Sequence, residues 1–255
     1  MRLWTPGRAY SAMRDQLGSI RGVYWAGNRV VRRSDFRHHA ENVLLLHGFF
    51  QTRSIWNTME DRLRFDGYGV VSFDLGGTLS RFNTQPLDAL ASLIADKVES
   101  LAQRHGVESL HIIGHSKGGL LARRYVQQFG GDARVRSVIT LGTPHHGTPT
   151  AALAVAAGVF FRNHSARDLL PNSRVIRRLN EERWPDNIPL TSIYSRADIV
   201  CPYWCAQLRQ EDDPQFMNVE VPSVGHSELA WDTAVYRQVL EQLKAHPIPL
   251  GGGGG

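Results

Sequence analysis

The chain has 255 residues, 42% of them hydrophobic, which suits one α/β domain with a sizeable core. No stretch reaches the roughly 20 apolar residues of a membrane span, and the longest apolar run, 151–161, follows a Gly/Pro-rich loop. Residues 1–40 hold eight Arg against Asp15 and Asp35, so the formal charge of +5 belongs to that segment and the remainder is nearly neutral, with no basic face for nucleic acid.

Two cysteines, Cys201 and Cys205, exclude a disulfide framework, and no Cys/His cluster has zinc spacing, so no metal or cofactor is expected. Two reduced thiols are the simple reading, and a bridge at i, i+4 is geometrically tight. The N-terminus lacks the apolar stretch of a signal peptide, which points to a cytoplasmic or peripheral-membrane protein. Residues 1–40 read either as a solvated arginine-rich edge or as a patch that meets an anionic membrane. No protein partner is implied. Residues 251–255, all glycine, carry no fold information.

In chain order, Ala9 to Leu17 is weakly helical, and Val23–Trp25 with Val30–Val31 form an edge hairpin around 26–29. Asn42–Leu46 is apolar throughout, as a strand buried on both faces is, and it runs into His47-Gly48-Phe49-Phe50. Ser54 caps an expected helix reaching Phe65. Val70–Phe73 is the next strand and ends at Asp74. Leu87 to Arg104 is an amphipathic helix, with Leu90, Leu93, Ile94, Val98 and Leu101 at helical spacing. A strand at 109–113, a helix at 120–126 and a strand at 135–141 follow. Residues 150–188 interrupt the rhythm with an apolar helix, read as a lid or cap over an apolar pocket, against the plainer reading of a helix packed permanently on the core. Strands at 190–194 and 216–221 and a helix over 228–245 close a domain at 41–250. This alternation predicts a doubly wound, mostly parallel sheet with helices on both faces, whose ligands sit at the carboxyl ends of the strands.

The chemistry centres on Gly114-His115-Ser116-Lys117-Gly118-Gly119. Strand, G-x-S-x-G and helix in that order define a nucleophile elbow: the serine stands at the tip of a strained turn, and side chains at 114 and 118 would collide with that turn. A serine hydroxyl is a weak nucleophile and needs a base, and the base needs an orienting acid. In the order Ser, Asp, His, the acid follows a later strand and the histidine the last one. Asp198 and His226 occupy those places. Asp212, Asp213 and Glu220 are the rival acids. Of eleven histidines, His47 orders the first loop, His115 points away from the nucleophile's side, and His145 and His146 line the pocket. The backbone N–H groups of Phe49 and Lys117 are the expected oxyanion donors, with the Lys117 side chain directed to solvent. Phe50, His145 and Phe160 are the expected substrate contacts.

The His47-Gly48-Phe49, Gly114–Gly119 and Leu141–Thr148 motifs, with Ser195…Asp198-Ile199-Val200-Cys201-Pro202 and Gly225-His226, resemble bacterial lipases and esterases of the α/β-hydrolase superfamily. The resemblance spans about 42–245. It implies an α/β-hydrolase fold, a Ser116–Asp198–His226 triad, and an oxyanion hole completed by the His-Gly-x loop. It further implies an insertion covering an acyl pocket and medium- or long-chain acyl esters. Some such lipases carry calcium, for which no ligand set is evident here. The expected activity is a serine carboxylic-ester hydrolase acting on a small-molecule or lipid ester. An acyltransferase or thioesterase using the same triad is the alternative.

Overall fold

Six short apolar strands align parallel because the helices between them return the chain to the same edge each time. They are β1 (Asn42–Leu46), β2 (Gly69–Ser72), β3 (Leu110–His115), β4 (Val135–Leu141), β5 (Leu190–Tyr194) and β6 (Phe216–Glu220). The sheet order is β2-β1-β3-β4-β5-β6. The computed structural model describes residues 36–76, 83–156, 164–209, 211 and 213–248. The helix expected at 9–17 and the hairpin at 23–31 lie outside those residues.

The intervening helices are α1 (Asn57–Phe65), α2 (Leu87–His105), α3 (Lys117–Gln128), α4 (Thr150–Ala156), α5 (His164–Asp168), α6 (Arg174–Glu181), α7 (Tyr203–Ala206) and α8 (Thr233–Ala245). Strand alternation splits the core into two layers. Leu44, Leu46 and Ile112 face Leu90 and Ile94 of α2 and Leu120 and Leu121 of α3. Val43, Leu45 and Ile113 face Met59 and Leu63 of α1 and Val235, Val239 and Leu243 of α8. Every residue of β1, β3 and β5 is buried. The edge strand β6 keeps two exposed residues, Met217 and Glu220. Helices therefore cover both faces of a parallel sheet, the doubly wound arrangement that the alternation predicted.

The chain runs β1 to β2 in one direction and then crosses back to β3 on the other side of β1. The direction of winding thus reverses between β1 and β3, where Leu46 pairs with Gly114. Such a switch opens a crevice beyond the carboxyl ends of the two strands. The His47–Phe50 loop and the Ser116 turn both emerge there.

Besides shifts of one to three residues at element ends, three features differ from the sequence reading. Ser54 is not a helix cap; it sits inside a 3₁₀ turn, Arg53–Trp56, and its hydroxyl bonds that of Thr52 at 2.6 Å. The closing helix is broken by Asp232, whose side chain accepts from Ala234 N and Val235 N and so starts α8 anew. A 3₁₀ turn, Glu228–Ala230, precedes it. Third, the insertion is divided. Its later part is built into the core: Ile176, Leu179, Trp184 and Ile188 are buried. Arg123 of α3, itself buried, donates to Leu179 O at 2.6 Å and Asn180 Oδ1 at 3.0 Å. Gln127 donates to Leu179 O and Glu182 O. Residues 174–188 are thus a fixed layer, and Ala151 and Leu169 of the stretch before them join the same core. Residues 157–163 of that stretch, Phe160 included, lie outside the described residues.

The Arg123 clamp is testable. Arg123→Met should remove the donor to the Asn180 amide oxygen and leave the Leu179 carbonyl with Gln127 alone, lowering stability by about 1–3 kcal/mol. Urea unfolding followed by tryptophan fluorescence measures that loss.

Candidate active site

The site begins with a strained turn. Ser116 has φ 53 and ψ −122, a conformation sparsely populated by residues with a side chain. Its surroundings hold it there. Ser116 N donates to Leu141 O at 2.9 Å, extending the β3–β4 ladder, while Ser116 O accepts from Gly119 N at 3.1 Å and Thr143 Oγ1 at 2.9 Å. A Cβ on Gly118 would lie 2.0 Å from Leu46 O, so only glycine lets α3 start this close to β1. Lys117 opens α3, and its N–H has no partner within the helix.

The expected acid and base, Asp198 and His226, meet beyond the ends of β5 and β6. His226 Nδ1 bonds Asp198 Oδ2 at 2.7 Å, with both residues buried. The other carboxylate oxygen, Oδ1, accepts from Val200 N at 2.9 Å and Cys201 N at 2.8 Å. Donation from Nδ1 to a carboxylate fixes the histidine tautomer and leaves Nε2 as the acceptor nitrogen. Ser195 Oγ accepts from Ala197 N and Val224 N, both at 3.1 Å, and ties the aspartate loop to the histidine loop. Gly142 lies beneath the pair: a Cβ there would stand 2.9 Å from Asp198 Oδ2 and 3.2 Å from His226 Nδ1. Ser116 Oγ makes no hydrogen bond among the described residues. Nucleophile–base bonds are often long until substrate closes the site.

The first loop passes beside the serine, since a Cβ on Gly48 would be 2.9 Å from Ser116 Cβ. Two side chains shape it. Gln51 Oε1 accepts from Gly48 N at 2.8 Å and contacts His115 Nδ1 at 2.9 Å. His47 Nε2 accepts from Leu75 N at 3.1 Å, so its Nδ1–H is the one that faces Gly48 O. Phe50 adopts φ 56 and packs edge-on against Phe49, with ring centroids 5.0 Å apart.

Several sequence expectations need correction. The Lys117 side chain does not face solvent; it is fully buried and bonded to Asn83 O, Gln85 O and Ser165 Oγ. His145 is fully buried, with its ring between Arg123 Nη1 and Thr140 Oγ1. His115 does not turn away from the site; its ring lies 4.7 Å from that of His226, and its Nε2 meets His226 O at 2.8 Å. His146 is held by Gln207 O. Of the rival acids, Asp213 caps a turn by accepting from Gln215 N, Glu220 pairs with Arg196 at the surface, and Asp212 lies outside the described residues. Gln51 carries no motif, and neither it nor Ser195 has a role of its own in the sequence reading. Both cysteines are free and buried.

Burial dominates the electrostatics. It lowers His47 and His111 to about 4, and His115 and His145 well below the usual 6.5. It also lowers Lys117 to about 7, with Asp168 pulling the other way. Cys201 is pushed well up by the same desolvation, which leaves a poor nucleophile. Among the described residues, no group of three or more His, Cys, Asp or Glu side chains is placed to hold a metal ion. None of their helices is long and apolar enough to cross a membrane.

Residues 41–180, more than half of the chain, match the family model described as alpha/beta hydrolase fold. The chain belongs to that family. Methylesterase 10 of Arabidopsis thaliana is 27% identical over 120 residues, which cover 46% of this chain and 42% of that protein. The chain therefore spans less than half the length of this curated relative. A lipase of Bacillus licheniformis in its mature form superposes with a TM-score of 0.66 at 16% identity, over 80% of this chain and 92% of that one. A monoacylglycerol lipase of Paleococcus ferrophilus gives 0.61 at 19% identity, over 81% and 95%. At such identities the likeness is one of fold.

The buried histidines set an acid limit. The folded state keeps them neutral, whereas the unfolded chain takes up protons below pH 6.5, so their contribution to stability is complete above 6.5 and lost as pH falls toward about 4. Thermal melting across that window should show a loss of several kcal/mol. His111→Asn, with no proton to take up at that place, should show a shallower slope.

Proposed function

We propose that the protein is a serine ester hydrolase of lipase-like type. The observation that carries this reading is the buried 2.7 Å His226–Asp198 pair at the same sheet edge as the strained Ser116 turn. Ser116 Oγ attacks the ester carbonyl while His226 Nε2 takes its proton. Asp198, held by three hydrogen bonds, stabilises the imidazolium that forms. The backbone N–H groups of Phe49 and Lys117 receive the oxyanion, and each such donor is worth about 10²–10³ in rate. His226 then protonates the departing alcohol. Water, deprotonated by the same histidine, releases the acid.

An ester with a medium or long acyl chain is the substrate class. The edge-to-face Phe49 and Phe50 rings at the oxyanion loop would give the acyl group an apolar wall, with the insertion as its cover. The names of the relatives, methylesterase, lipase and monoacylglycerol lipase, support an ester bond as the target.

Ser116→Ala should fold normally and lose at least about 10⁴ in kcat on p-nitrophenyl esters, and retained turnover would sink the assignment. In the wild type, kcat/KM should rise along the series from acetate to palmitate; activity confined to acetate and butyrate would remove the acyl wall and the covering role. Asp198→Asn should lower kcat by about 10⁴ while KM changes little, because the histidine is then left in the wrong tautomer.

A further inference from the structure

Lys117 follows the nucleophile directly, yet its side chain runs inward. The ammonium lies 3.0 Å from Asn83 O, 2.7 Å from Gln85 O and 2.5 Å from Ser165 Oγ. It also stands 5.8 Å from the centroid of the Phe49 ring. These partners belong to separate segments: the oxyanion loop, the stretch leading into α2, and the insertion helix α5. Keeping an ammonium in an apolar interior is costly, and an uncharged side chain of similar length would fill the same space without that cost. Packing alone therefore does not explain a lysine here. What the ammonium adds is donors aimed at three oxygens and a charge that attracts an aromatic face.

We infer that the Lys117 side chain is a positioning residue, whose ammonium pins α5 and the 83–85 segment against the Phe49 ring and so sets the oxyanion loop and the acyl side of the site together. The inference rests on Ser116 being the nucleophile. Two further contacts carry the strut onward. Asn83 Nδ2 donates to His47 O at 2.6 Å, at the end of β1 from which the oxyanion loop starts. Asp168 Oδ2 accepts from Leu87 N at 3.3 Å and joins α5 to the beginning of α2. A shift at Lys117 is thereby transmitted to the backbone on both sides of the reacting carbonyl.

The charge on this strut is poised near neutrality. Burial lowers the Lys117 pKa to about 7, and Asp168 is the carboxylate that opposes the shift. His47, the nearby titratable group just after β1, is neutral through this range because burial holds it at about 4. The ammonium is thus present below about 7 and lost above it. The neutral amine has one donor fewer, and the attraction to the Phe49 ring is gone. Alkaline conditions should therefore loosen the oxyanion loop.

The test measures kcat and KM for a short and a long p-nitrophenyl ester between about pH 5 and pH 9, on wild type, Lys117→Met and Ser165→Ala, with Ser116→Ala as blank. Wild type should show a decline in kcat/KM above neutrality. Lys117→Met should be about ten- to a hundredfold slower on the long ester and lack that decline. Ser165→Ala, which leaves the elbow untouched, should raise KM for the long ester more than for the short one. Wild-type kcat/KM in Lys117→Met, or persistence of the decline in it, would overturn the inference. Should Lys117→Met fail to fold, unchanged KM values in Ser165→Ala overturn it instead. Turnover in Ser116→Ala would be a separate failure, that of the nucleophile itself.

Discussion

The contact on which the rest depends is between two backbones. The first turn of α3 comes so close to the end of β1 that a methyl group at Gly118 would lie 2.0 Å from Leu46 O. That approach fixes the start of α3 beside β1 and aims its leading N–H groups into the crevice at the winding reversal. It also obliges Ser116 to take φ 53, because β3 must turn sharply to feed the helix. Strain of this kind persists only where the surroundings over-determine the conformation. Here Leu141, Gly119 and Thr143 supply the bonds that do so.

Around that turn, the interior is polar in an ordered way. His47, His115 and His145 are all buried, and each is hydrogen-bonded: His47 to Leu75 and Gly48, His115 to Gln51 and His226, and His145 to Arg123 of α3 and Thr140 of β4. Only His226, among the histidines clustered here, has a carboxylate partner. The others are rigid hydrogen-bonding wedges that hold strand-end loops in register. One residue type thus serves two purposes, and the environment of each side chain decides between them.

The insertion shows how one sequence signal can cover two structures. From Thr150 to Ile188 the rhythm of strand and helix is broken, and the whole stretch reads as one cap. The structure separates it at about Asn172. Beyond that residue, Ile176 and Leu179 are buried and Arg123 and Gln127 clasp the last turn of α6, so this half cannot lift without breaking buried hydrogen bonds. Before it, α5 is attached at Ser165 to the Lys117 ammonium and at Asp168 to Leu87 N. An apolar periodicity states that a face is buried, but not against what.

The sequence by itself determined the elements whose signal is local. The strands of the sheet, the glycines around Ser116 and the places of Asp198 and His226 after strand ends are legible because period, turn chemistry and chain order are properties of neighbouring residues. Tertiary structure alone decided the direction of the Lys117 and His145 side chains, the roles of Gln51 and Ser195, and the division of the insertion. Lys117 is the clearest case. A lysine at a helix start reads as a solvated charge, and nothing near it in the chain announces that Asn83, Gln85 and Ser165 will close over it. Those oxygens arrive from segments more than thirty residues away on either side, and whether a charge is buried depends on what the fold brings against it.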